Sequence, residues 1–244
     1  MPDAIASATP ATTAPKGLLA RVIGVLVSPR ATYAEVAQRP RWFGVLALVV
    51  VFSACGVAIL FSTEVGQRAL LDQQVRTMES FGVKMNDAAY DRLQRSAGRA
   101  PYFSAGGQLV TLPLMALIVS GIALGIFNAA MGEDAKFKQV FAIVAHSGVV
   151  IAVQQLFVLP LDYMRETLSS PTSLAVFLPM LDENTFAAHL LGAIDLFVIW
   201  WAVSLSIGLG VLYRRRTAPI ATTIILIYVT VGLIIAGIKS ALGA

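Results

Sequence analysis

Five stretches of this chain stay apolar for the length that a lipid bilayer demands, and few folds can absorb that. They run over about residues 43–62, 105–131, 138–159, 190–212 and 218–238. Each is near or above the roughly 20 residues a helix needs to cross the hydrocarbon core. With no water at that depth the backbone must satisfy its own hydrogen bonds, so each stretch is expected to be helical. Composition points the same way: 57% of residues are hydrophobic and 13% charged, where a soluble domain carries about a quarter charged. Mean hydropathy is +0.76. The expected fold class is all-α, a polytopic membrane protein built as a five-transmembrane-helix bundle with short interfacial helices. Pro113, near the start of the second stretch, fits such a bundle because neighbouring helices can satisfy the carbonyl it frees.

The segments between the spans are read from local pattern. Residues 1–15 are rich in Ala, Thr and Pro with no apolar run, and are expected to be a disordered tail rather than a cleaved signal peptide. Residues 16–41 are expected to form interfacial amphipathic helices, and 42–244 the membrane domain. Within the first of these, "GLLARVIGVLV" is too short to span and should lie in the interface with Arg21 snorkelling to the headgroups. The connection 63–104 is the one sizeable extramembranous part. Apolar residues recur at helical spacing on both sides of Gly82, so two amphipathic helices are expected there. A short apolar run at 173–181 should lie at the opposite surface. The single cysteine, Cys55, excludes an intrachain disulfide and is expected to be a small buried hydrophobe.

Charge sets the expected orientation. With the N-terminus inside, the inner side holds Lys16, Arg21, Arg30, Arg39, Arg41, Lys136, Lys138 and Arg214-Arg215-Arg216, while the short outer segments hold only Arg165 and Lys239. The long connection, with six basic and five acidic residues, is nearly neutral. The asymmetry of short loops therefore favours a cytoplasmic N-terminus and a C-terminus on the opposite side. The net charge of +4 comes without a lysine stripe interleaved with aromatics. Contact with anionic headgroups, not nucleic acid, is the expected use of these cations.

Ionisable residues inside a membrane are functional candidates by default. His146 lies near the middle of the third span and Asp195 a few residues into the fourth. Gln139, His146 and Gln154 fall within about 80 degrees of one another on a helix, so Gln139, His146, Gln154 and Asp195 form a candidate intramembrane polar network. It could be a proton or substrate path, or interhelical hydrogen bonding that holds the bundle. Candidate packing faces come from small-residue pairs: Gly121 with Gly125, Ser204 with Gly208, and Gly232 with Ala236. They suit a compact bundle and a possible homo-oligomer surface. No HExxH, CxxC, phosphate loop or GxSxG is present. His146 and His189 have no metal-ligand spacing, and the acidic pair Glu133-Asp134 sits beside lysines in a short turn without the burial that acid–base work needs. No catalytic, cofactor-binding or metal site is expected.

The passages "LVSPRATYAEVAQRPRW", "MGEDAKFKQVFAIVAHSGV" and "PTSLAVFLP…LLGAIDLFVIWWAVSLSIGLGV" resemble, in order, the Yip-type (Ypt-interacting protein) membrane domain family, and its bacterial branch most. They carry a Ser-Pro-Arg helix before the first span, a Gly132 to Phe137-Lys138 turn into the third, and Asp195, Phe197, Trp200 and Gly208 in the fourth. One departure is that Ala145-His146-Ser147-Gly148 is followed by no proline until Pro160, where the family often has one sooner. The resemblance implies five spans, a cytosolic N-terminus and a non-enzymatic role. Its eukaryotic members are adaptors that contact prenylated Rab-type GTPases, a partner not expected in a bacterium.

The segment before the first span is then an elbow. Ser28 caps a short helix with Pro29 in its first turn, Pro40 ends it, and Trp42 sits at the interface. Tyr33, Val36 and Trp42 are candidate interfacial docking residues; alternatively, they pack on the bundle. The expected function is a scaffold or adaptor in membrane organisation or trafficking, in a bacterial inner membrane, with the bilayer and membrane or peripheral proteins as partners. The alternative is a small transporter or lipid-handling protein that uses His146 and Asp195.

Overall fold

The computed structural model describes residues 17–79, 81–131, 134–178, 180–181 and 185–241. The tail 1–15, together with Lys16, Gly132, Glu133 and Pro179, lies outside the described residues. Among the described residues eleven α-helices follow one another: α1 Leu18–Val27, α2 Pro29–Gln38, α3 Phe43–Phe61, α4 Glu64–Glu79, α5 Asp87–Ser96, α6 Ala100–Met131, α7 Phe137–Ser147, α8 Val149–Arg165, α9 Phe186–Ala193, α10 Leu196–Leu212 and α11 Thr217–Ala241.

Among the described residues, four stretches are long and apolar enough to cross a membrane: Phe43–Phe61, Asp87–Ala129, Phe137–Arg165 and Thr217–Ile238. The third contains a break at Gly148, which separates α7 from α8. The chain is an all-α polytopic membrane protein. The expected fourth span is built differently from the others. It is divided into α9 and the 17-residue α10, with Ile194 and Asp195 extended between them. At 1.5 Å per residue α10 is about 25 Å long, short of the roughly 30 Å hydrocarbon core. The cause is local. The Asp195 side chain accepts from the amides of Phe197 and Val198 and so starts a new helix in place of continuing the old one.

In the connection 63–104, α4 and α5 turn about Gly82, whose φ of +76° is a left-handed value suited to glycine. Asn86 caps α5 by accepting from the amide of Ala89 at 2.9 Å.

α3 packs on α6 and α8, α10 on α11, α2 and α7, and α9 on α11. The core lies where α2, α7 and α10 meet, around Tyr33, Val36, Val140, Ile143, Leu205 and Leu209. α2 reads as a polar ten-residue helix, yet Thr32, Tyr33 and Val36 are buried. Glycine makes this possible. A Cβ on Gly208 would run into Ile143 Cγ2 and stand 3.0 Å from Tyr33 Cδ1, and one on Gly24 of α1 would run into Thr32 Oγ1.

The expected packing faces divide accordingly. Ser204 and Gly208 receive α2, while Gly232 faces Ala193 of α9, which would lie 3.5 Å from an added Cβ. Ala236 is also buried. Gly121 and Gly125 are exposed, and an added Cβ at either meets nothing within 4 Å. Cys55 corrects the sequence expectation: it is exposed, on the outward face of α3.

Gly208→Ala is expected to destabilise the protein by about 1–3 kcal/mol through overpacking, read as a lower unfolding temperature in detergent. Gly121→Ala, with open space at its Cβ, should leave that temperature unchanged.

Candidate functional site: a carboxylate clamp and a histidine–arginine contact

Asp195 is 8% exposed and gathers donors from three directions. Its Oδ1 accepts from the amides of Phe197 (2.8 Å) and Val198 (3.3 Å) and from Gln154 Nε2 of α8 (3.2 Å). Its Oδ2 accepts from Ser170 Oγ and Thr172 Oγ1, both at 2.6 Å. The carboxylate thus caps α10, where negative charge is favoured by the exposed amides of a helix N-terminus. It also holds α8 through Gln154 and the connection after it through Ser170 and Thr172.

The backbone beside Asp195 is satisfied as well. Leu174 N donates to Ile194 O at 2.9 Å and Leu196 N to Thr172 O at 3.0 Å, an antiparallel bridge between Ser173 and Asp195. From α11, the Tyr228 hydroxyl donates to Ala193 O at 2.5 Å and accepts from Asp195 N at 3.0 Å. Among the described residues no group of three or more His, Cys, Asp or Glu side chains could hold a metal ion.

His146 belongs to a different place. Its Nδ1–H donates to Ala142 O at 2.7 Å, which leaves the Nε2 lone pair toward Arg21 Nη1 at 3.5 Å. Arg21 itself departs from the expected snorkel. Its Nη1 turns inward and donates to Arg41 O at 2.8 Å. The reason is that α1 packs on α2 and α7, which brings Arg21 over the end of the bundle core. Gln139 is a third separate contact: its amide donates to Ala37 O at 3.0 Å and accepts from Lys136 N at 3.0 Å, tying α7 to the end of α2.

Of the four residues expected in one network, only Gln154 and Asp195 meet. His146 and Gln154 are eight residues apart, about 12 Å along a helix, and Val149 and Val150 between them are buried.

The docking candidates find other uses. Tyr33 and Val36 are 0% and 1% exposed, so their face is covered by the bundle and offers no free surface. Tyr33 shares a hydrogen bond of 2.8 Å with Ser204 Oγ, and burial pushes the Tyr33 hydroxyl well above the ordinary tyrosine range despite that bond. Trp42 is half-buried and meets Phe43 and Phe141 edge-on. Sequence reasoning missed Ser170, Thr172 and Tyr228. The run Ser169-Ser170-Pro171-Thr172 marks a turn, but nothing local aims its hydroxyls at residue 195.

A set of long apolar helices, with shorter ones among them and a buried carboxylate where α9 gives way to α10, defines the class as polytopic helical membrane proteins. A family model, the Yip1 domain, matches residues 23–238, and the chain belongs to that family. Comparison with curated proteins and with solved structures finds no match.

Asp195→Ala removes the cap and leaves buried donors unpaired. It should destabilise by about 2–4 kcal/mol, with faster proteolysis around residues 166–178. Asp195→Asn, which keeps an acceptor oxygen, should lose less. Tyr33→Phe is expected to lower stability by about 1 kcal/mol. In a double-mutant cycle by thermal unfolding, Tyr33→Phe with Ser204→Ala should cost less than the sum of the two single changes.

Proposed function

We propose that the chain is a non-enzymatic scaffold or adaptor in membrane organisation, set in a bacterial inner membrane with α1 and α2 on the cytoplasmic side and the C-terminus on the other. The observation that carries this reading is how the intramembrane polar groups are used. Asp195 accepts five hydrogen bonds from three parts of the chain; two cap α10 and three tie it to α8 and to Ser170 and Thr172. Transport through His146 and Asp195 would call for a polar path between them. Val149 and Val150 are buried in that interval, and its buried hydroxyl, Ser147, is spent on Val144 O at 2.8 Å, so the geometry favours the scaffold. The family supports protein partners in general terms. The exposed helices α4 and α5, not the covered face of α2, are the surface that this reading assigns to them.

The test is gentle purification of the tagged protein from its native membrane, with co-purifying proteins and solutes quantified against an unrelated tagged multi-span protein. His146→Ala and Gln154→Ala variants, matched to wild type in monodispersity, are run beside it. A protein partner in fixed ratio, retained by both variants, is the expected result. A bound solute with no protein partner, lost in either variant, overturns the scaffold and makes this a transport protein.

A further inference from the structure

One corner of the bundle combines an unpaired cluster of arginines with an uncovered apolar stripe. On α1, Leu19, Ile23 and Val27 are 69%, 57% and 75% exposed. They recur every four residues and so form a line along one face of the helix. The opposite face, with Gly24 and Val25, is buried. Three residues beyond Val27, Arg30 extends to Thr217, its Nη2 3.4 Å from the hydroxyl. That contact sets Arg30 beside the turn that carries Arg214, Arg215 and Arg216.

All four arginines are exposed. Among the described residues, the one salt bridge joins Arg68 to Glu64 in α4, so none of the four is paired with a carboxylate. Neither α2 nor α11 has an acidic residue in its first turn. Among the described residues, the acidic side chains that α2 and the turn before α7 contribute at this end are the half-buried Glu35, five residues beyond Arg30, and the exposed Asp134.

The turn is held in place. Tyr213 is fully buried and donates from its hydroxyl to Asn128 Oδ1 at 2.7 Å, and Arg215 N donates to Gly210 O at 2.9 Å. Arg214 has a φ of +51°, a left-handed value uncommon outside glycine and asparagine. Three consecutive arginines are thereby fixed in a tight bend, where their like charges repel and a neighbouring anion relieves the repulsion.

We propose that this corner binds an anionic phospholipid, with the phosphate among Arg30 and Arg214–Arg216 and an acyl chain along Leu19, Ile23 and Val27. The planar guanidinium fork matches two phosphate oxygens at once, which a lysine does not. The apolar stripe joins the cationic cluster through Val27 and Arg30, as headgroup joins chain in a lipid. A soluble phosphate would use the arginines and leave the stripe in water. The proposal goes beyond the scaffold reading and does not depend on it, because lipid retention is measured on the isolated protein and the scaffold is tested by its protein partners.

The full-length protein is exchanged into detergent with equal phosphatidylglycerol and phosphatidylcholine, and retained lipids are counted by native mass spectrometry. Wild type should keep phosphatidylglycerol in preference by about tenfold or more, given the attraction of each basic residue near an anionic surface. The triple change Arg214→Gln, Arg215→Gln and Arg216→Gln should abolish the preference, and Arg30→Gln, at an exposed site with little bearing on folding, should weaken it several-fold. The pair Lys136→Gln and Lys138→Gln, at the same end of the bundle, should leave it unchanged. Equal retention of both lipids by wild type overturns the proposal. So does an equal loss in the lysine pair, which would make the effect a general field of the basic end, and so does displacement of the lipid by millimolar inorganic phosphate.

Discussion

A helix that stops inside a bilayer leaves amides and carbonyls with no water to satisfy them, and each such group costs several kcal/mol. Where α9 gives way to α10 such groups would be left without partners, and the Asp195 clamp satisfies them. The carboxylate takes the first amides of α10. Thr172 O and Leu174 N pair with the backbone of Leu196 and Ile194, and Tyr228 closes the remaining pair at Ala193 and Asp195. Residues 172–174 of the connection after α8 are therefore part of the same hydrogen-bonded unit as α9 and α10. They complete the hydrogen bonding that a continuous helix would have supplied for itself.

The opposite end of the bundle rests on a different constraint, close approach. α2 is too polar to be drawn into a core by its own hydrophobicity, and it enters because α10 presents Gly208 to the ring of Tyr33 and Ser204 to its hydroxyl. α1 then follows, since Gly24 admits Thr32 from α2. The match to the Yip1 domain begins at residue 23, within α1, so the family pattern includes α2. Its burial gives a physical reason: α2 belongs to the folding unit and is not a detachable arm.

What the sequence disclosed divides along the range of the interactions. Span-length apolar runs are local, so the long helices α3, α6, α7–α8 and α11 were legible from residue order alone. Capping is local too, and an aspartate before "LFVIWWAV" carries a helix-start signal. The unbroken apolar run around Asp195 hid it, because a hydropathy window averages a cap into its neighbours. The expected polar stripe failed for another reason. Helical spacing places Gln139, His146 and Gln154 on one face, but each partner comes from a different segment: Ala37, Arg21 and Asp195. Nothing in one helix's periodicity shows which neighbour will lie opposite. Tyr33 and Val36 were correctly placed on one face, and only the tertiary fold decides that the face is inward.

The two polar centres hold opposite ends of the same helical stretch and do not communicate through polar contacts. His146 and Gln139 join α7 to the basic end, through Arg21 and the end of α2. Gln154 joins α8 to the Asp195 clamp at the other end. Between them α7 meets α8 at Gly148, where Val144, Val149 and Val150 are buried and the Ser147 hydroxyl is spent locally on Val144 O. Polar side chains placed at helix ends and joints, with an apolar interval between, hold helices in register without opening a route for charge. The same placement lets the two ends differ chemically. One carries unpaired arginines and lysines at its rim, and the other is closed by a carboxylate whose hydrogen-bonding capacity is filled from within the chain.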